Sequence, residues 1–283
     1  MASSSGSPRV DAESDFMRAR RHQVLSSLAA RLRNDHEDVV QSMSFDDVLA
    51  ALGRRAENYV GTKVIALDAI VGSVDKVRDF DRRFRPTSAR SRERWERLAR
   101  AARTGEVIPP IEVFQIGEYY FVKDGHHRVS VARSMGEKLI EARITAIDTF
   151  LLPVDIAARS DLERKFWRRL MLERVPFTGE ARAAIAVDTP EQYGEIAEAV
   201  EAWAARTMHA EGAYMNPETM ASRWYAEEFA PVIAMIDEAG VRGEKERPVE
   251  AFLRVACERY RLIREHEWNV EVLAAVKDKG KKR

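Results

Sequence analysis

The sequence predicts an α+β protein: a small α/β unit over residues 60–150, flanked by an N-terminal helical segment and a mainly helical C-terminal domain. Three observations predict it. Residues 119–136, Y-Y-F-V-K-D-G-H-H-R-V-S-V-A-R-S-M-G, read as strand, tight turn and helix. Runs rich in β-branched residues recur at 63–71, 111–116 and 139–147, bounded by Gly and Pro. From Val154 onward the apolar spacing becomes helical, with Thr189-Pro190-Glu191 and Asn216-Pro217-Glu218 as helix starts.

The elements follow in order. Residues 1–12, rich in serine at their start, read as a disordered tail, and 13–58 as the N-terminal helices. A first helix over 11–33 carries Phe16, Val24, Leu25, Leu28 and Leu32 roughly on one face. Ser44 is the expected N-cap of a second, with Asp46 and Asp47 in its first turn, Val48, Leu49 and Leu52 as its apolar face and Gly53 as its end. Lys63 opens a strand that runs into a turn near Val71. Residues 72–94 are dense in charge, with Phe80 and Phe84 interleaved. Such a segment either closes over a nucleotide or contacts nucleic acid, or it is a solvated loop that the two phenylalanines pin to the core.

A helix over 91–104 points Trp95, Leu98, Ala99 and Ala102 inward. Strand 111–116 turns back through Gly117-Glu118 into strand 119–122, and Asp124-Gly125 delivers the chain to a short helix ending at Gly136. In the C-terminal domain, 154–272, helices are expected at 161–173, 189–208, 216–238 and 248–266. Pro231 should kink or split the third. Residues 273–283 form a basic tail.

Composition narrows the function classes. The 283 residues carry 46 Lys+Arg and 46 Asp+Glu, so no global basic field draws the chain to nucleic acid. The single cysteine, Cys257, excludes an intramolecular disulfide and a cysteine zinc cluster, and its spacing with Phe252, Leu253 and Tyr260 predicts buried packing. No apolar run is long enough to span a bilayer, so no membrane partner is expected and the cytoplasm is the expected location.

The D-G-H-H-R turn, Asp124 to Arg128, is the expected site. A glycine turn lets backbone approach a ligand, and the free N–H groups of a helix start favour an anion. Arg128 can hold phosphate with two parallel hydrogen bonds, while His126 and His127 supply donors or a general acid and base. Asp124 would repel phosphate unless a divalent cation lies between them. On the alternative reading, Asp124 caps the helix and pairs with Arg128. In 111–116, Glu112 alternates with Phe114 and Ile116. It either faces the same cleft as Arg128 or stands at an exposed strand end.

The stretch Pro110-Ile111-Glu112-Val113, the hairpin and Lys123 to Ala132 resemble the ParB/sulfiredoxin fold. That fold includes the CTP-binding DNA clamp ParB, sulfiredoxin and an ADP-dependent free-serine kinase. The helical remainder looks like a bacterial domain of unknown function associated with ParB-like proteins. The resemblance implies a bacterial protein that binds a nucleoside di- or triphosphate with Mg2+. Gly125, His126, His127 and Arg128 would cradle phosphates, Asp124 and Glu112 would hold the metal, and Asp124, His127 and Glu112 would carry phosphotransfer or nucleotide hydrolysis. Sulfiredoxins have a cysteine where this chain has His126. The serine kinase motif Asp-Gly-His-Thr-Arg is nearest in form, with His127 at the threonine. ParB proteins carry Gly-Glu-Arg-Arg here and then a helix-turn-helix, of which none is evident after residue 150. The alternative expectation is a non-catalytic ParB-like regulator that contacts DNA or a protein partner.

Overall fold

The computed structural model describes residues 7–32, 42–75, 79–154, 156 and 159–263. It is mixed α and β, as the sequence predicts. The chain divides into two compact units, Met1–Leu162 and Glu163–Arg283, and the division falls inside helix α5, Arg159–Arg174.

The first unit is built on a six-stranded sheet. Its strands are β1 Met43–Ser44, β2 Arg54–Ala66, β3 Ile70–Ser73, β4 Ile111–Ile116, β5 Tyr119–Asp124 and β6 Leu139–Thr149, arranged in the order β1-β3-β5-β4-β6-β2. The β4–β5 hairpin sits at the centre of the sheet. Parallel pairings join β1 to β3, β3 to β5 and β4 to β6, and β2 runs antiparallel to β6 along the edge. Residues 54–58, expected among the N-terminal helices, therefore belong to this edge strand. Their pattern gives no strand signal because almost every residue of β2 is exposed, so no period-2 alternation is written into it.

Each face of the sheet has its own cover. On one face Ile111, Val113, Val122, Ala142 and Ile144 pack with Val129 of helix α4, His126–Ser134, and with Phe80 and Phe84. On the other face Phe45 of helix α2, Phe45–Leu52, stacks on Phe114 at 4.7 Å and meets Phe121 edge-on at 5.6 Å. Ser44 caps α2 as expected, its hydroxyl accepting from the Asp47 amide at 3.3 Å, and Gly53 ends the helix.

Helix α1 spans Pro8–Leu32 and begins inside the segment expected to be tail. Its buried apolar residues are Ala12, Phe16 and Ala30, whereas Val24, Leu25 and Leu28 are exposed, against the expected face. Three contacts set this rotation. Phe16 packs edge-on against Trp95 of helix α3, Arg92–Arg103, at 5.6 Å; Asp15 pairs with Arg103; and Arg20 donates to the carbonyls of Pro86 and Thr87.

The second unit is helical. After α5 come α6 Gly179–Ala184, α7 Gln192–Glu211, α8 Pro217–Trp224, α9 Ala230–Glu238 and α10 Pro248–Ile263. Trp224 is its aromatic centre, packed against Phe177, Phe229 and Phe252. Asn216 caps α8, accepting from the Thr219 amide at 2.8 Å. Thr189 does not cap α7: residues 189–194 form a turn, and the helix starts at Gln192.

The split expected at Pro231 is a π turn over Tyr225–Phe229, in which the Ala230 amide donates to the Tyr225 carbonyl. Widening the helix there leaves Pro231 in the first turn of α9, where its missing N–H leaves no bond broken. Cys257 is exposed, not buried as its spacing predicts, because α10 turns Val249, Phe252 and Val255 inward instead. Trp268 and the basic segment 277–283 lie outside the described residues. No described helix is long and apolar enough to cross a membrane.

Candidate functional site

The expected site forms where β5 runs into α4. Gly125 is the N-cap of α4 with φ 101°, a left-handed conformation that glycine adopts without strain. It also lacks room for a side chain: a Cβ there would lie 2.5 Å from Cγ2 of Ile111 and 3.0 Å from Nε of Arg128. The space a glycine opens is thus filled by the protein itself. As a glycine, the N-cap residue itself offers no side chain to the first turn of α4.

Arg128 is largely buried and turned along the protein. One guanidinium nitrogen donates to the carbonyls of Pro109 and Pro110 at 2.7 and 2.5 Å, and the other pairs with Asp124. The Asp124–Arg128 pair of the alternative reading is therefore present, although Asp124 does not cap the helix. Arg128 ties the 109–110 segment to the turn.

His126 and His127 are both buried, at 4% and 7% exposure. His126 Nε2 lies 2.6 Å from the Ser73 hydroxyl at the end of β3, and its ring stacks with Phe80 and Phe84 at 6.0 and 6.3 Å. His127 meets the Phe80 ring edge-on at 5.2 Å. The aromatic loop after β3 thus covers both imidazoles.

That loop is held as a unit. The buried Asp81 carboxylate accepts from the amides of Arg83 and Arg85 and pairs with the Arg85 guanidinium at 2.7 Å. Phe84 adopts φ 57°, the one described non-glycine residue with positive φ, and this conformation aims its ring into the core. Arg133 of α4 lies 5.2 Å from the centre of that ring and donates to the carbonyls of Leu67 and Ile70. Burial pulls the Arg133 guanidinium below its ordinary pKa, with Asp68 and Asp81 opposing. The segment is thus anchored by both phenylalanines; Lys76 and Arg78 lie outside the described residues.

Glu112 stands apart from these residues. It is the register partner of Asp124, but a bulge between Glu112 and Val113 puts the two side chains on opposite faces of the sheet. Ile111 and Val113 face α4, whereas Glu112 shares the α2 face with Phe114 and Lys123. Lys123 lies over the Phe114 ring, and Lys123 and Arg143 each approach the Glu112 carboxylate at 3.9 Å. The half-exposed Glu112 does not share a cleft with Arg128.

The Mg2+ expected on Asp124 and Glu112 does not fit this arrangement, since the two carboxylates do not converge. Among the described residues no group of three or more His, Cys, Asp or Glu could hold a metal. The proposed catalytic set of Asp124, His127 and Glu112 is likewise divided between a paired carboxylate, a buried ring and the far face. Sequence reasoning missed Ser73 and Asp81. Ser73 carries no local signal. The D-R-R-F-R string at 81–85 does, because an aspartate two residues before an amide it can accept from is a turn former.

Residues 72–152 match the family model of the ParB N-terminal domain. The match spans the covering loop, α3, the β4–β5 hairpin, the D-G-H-H-R turn and β6. No curated protein matches the chain at a significant level.

Proposed function

We propose that the protein is a ParB-like nucleotide-binding protein whose ligand phosphates meet the first turn of α4. The observation that carries this reading is the junction itself: a strand ending in a left-handed glycine that opens a helix, within the segment matched by the ParB N-terminal domain. Such a helix start offers amide donors and the positive end of the helix dipole to an anion. Arg128 contributes by holding the turn. Binding without turnover is the better-supported form of the reading, because Asp124 is paired, Glu112 is on the far face and both histidines are buried.

Thermal unfolding with ATP, ADP, CTP and GTP, each with and without Mg2+, tests it. A ligand at about 100 times its dissociation constant adds about 2.7 kcal/mol, which raises Tm by a few degrees. No shift from any of the four would end this reading. Asp124→Asn is the informative variant: it removes a negative charge beside the phosphates, so affinity without Mg2+ should rise several-fold.

A second reading, a DNA-associated regulator, rests on a different observation. Among the described residues Arg82, Arg83, Arg90, Arg94, Arg97 and Arg100 are exposed and carry no ion pair. Of the four acids in 79–100, Asp81 pairs with Arg85 and Glu96 with Arg92, while Asp79 and Glu93 remain exposed. Arg94, Arg97 and Arg100 lie along one side of α3. If this face meets duplex phosphates, changing these three to Ala lowers the slope of log K against log salt by about 2 to 3. An unchanged slope, or no DNA binding by the parent protein, counts against it.

A further inference from the structure

Strand β2 is the open edge of the sheet. Its 13 residues bond to β6 on one side, and no described strand lies on the other. An edge of this kind turns a row of backbone N–H and C=O groups outward, and the protein partner that matches such a row is another extended chain. The strand has little charge to defend it. Tyr59 and Val64 are 70% and 62% exposed, and Val60 is exposed between them. Arg54 pairs with Glu57, and Arg55 lies over the Phe150 ring at 4.7 Å. Lys63 is exposed and forms no ion pair among the described residues.

The register with β6 shows which residues share a face. Lys63 lies opposite Ala142 and Ala56 opposite Asp148, and β6 alternates regularly between them, so Lys63, Ala56 and Asp148 are on one face despite the bulge at Val60. Asp148 is exposed; it accepts from the Asn58 amide at 3.3 Å and forms no ion pair among the described residues.

These positions make the edge complementary to itself. Two copies of β2, antiparallel about a two-fold axis between Tyr59 and Val60, place Lys63 of each opposite Ala56 of the other. Ala56 presents only a methyl group, so the Lys63 ammonium can pass over it to Asp148 in the next strand, and the axis repeats that pair. Glu57 meets Thr62, Tyr59 and Val60 of both copies gather at the axis, and within 56–63 no like charges stand opposite one another.

We infer that β2 pairs with β2 of a second copy of this chain, joining two sheets edge to edge in a symmetric dimer. The pairing consumes the long edge. The other edge, β1, is two residues long and too short to extend the sheet, so the assembly closes at two. This surface does not depend on the nucleotide reading.

Sedimentation equilibrium of the full chain from about 1 to 200 µM, with hydrogen exchange followed at both ends of that range, tests it. The expected result is a monomer–dimer equilibrium in which the amides of residues 56–63 gain protection at the higher concentration. Lys63→Asp sets a carboxylate against Asp148 on both sides of the axis and should weaken the dimer about tenfold. The double exchange Lys63→Asp, Asp148→Lys should restore the affinity to within about threefold. Both positions are exposed, so the unfolding midpoints of the variants should match that of the parent. Three results would overturn the inference: a parent protein that stays monomeric at the highest concentration, a dimer whose β2 amides gain no protection, or a dimer that Lys63→Asp leaves unchanged.

Discussion

Gly125 carries two constraints at once. Its φ of 101° belongs to glycine, and Ile111 occupies the place of the absent Cβ. Alanine there would meet both penalties, left-handed backbone strain and overpacking against a core isoleucine. Gly125→Ala should therefore cost roughly 2–4 kcal/mol, read as a lowered midpoint in urea unfolding. A loss below about 1 kcal/mol would mean that the turn relaxes and that the glycine is not needed for packing. The same residue-scale view changes the part played by Arg128. Expected as the phosphate clamp, it is the tie between the 109–110 carbonyls and Asp124, because a buried guanidinium must satisfy its donors wherever acceptors are in reach.

At the scale of elements, helix starts divide into those that capping chemistry decides and those that packing decides. Ser44 and Asn216 each accept from the amide three residues on, so Ser44→Ala and Asn216→Ala should each cost about 1 kcal/mol in denaturant unfolding. Thr189→Ala should stay within about 0.5 kcal/mol, since α7 begins at Gln192 and Thr189 contributes its backbone carbonyl. A loss at Thr189 equal to that at Ser44 would show that the helix extends to it in solution. The π turn before Pro231 belongs to the same scale. A proline cannot donate to the carbonyl four residues back, and the chain absorbs this by one wide turn without ending the helix.

Over the whole molecule, the division into Met1–Leu162 and Glu163–Arg283 gives each unit its own core, one around the sheet and one around Trp224. Calorimetric unfolding should accordingly show two transitions, and a bound nucleotide should raise only the one that belongs to residues 1–162. A single transition shifted as a whole would mean that the units unfold together. The balanced total of 46 cations and 46 anions conceals segregation of another kind. Within 79–100 six arginines face solvent against two exposed acids, Asp79 and Glu93, so overall neutrality says little about a local surface.

The sequence alone determined what local chemistry encodes. The β4–β5 hairpin, the left-handed glycine before α4 and the Ser44 and Asn216 caps all depend on residues close in the chain, and each was legible there; Phe80, Phe84 and Trp95 were legible as core by their apolar character, although their partners lie far along the chain. Tertiary structure decided whatever depends on partners far along it. Which stripe of α1 is buried follows from Trp95, Arg103 and the Pro86 carbonyl, 66 to 88 positions away. The separation of Glu112 from Asp124 follows from one bulge, which flips side chains to the other face of a sheet without changing the strand's composition. The exposure of Cys257 follows from how α10 is rotated against its neighbours, which its apolar spacing does not uniquely fix. The motif was readable because a turn is local; which of its side chains remain available to a ligand was not, because long-range packing had already engaged Arg128 and covered both histidines.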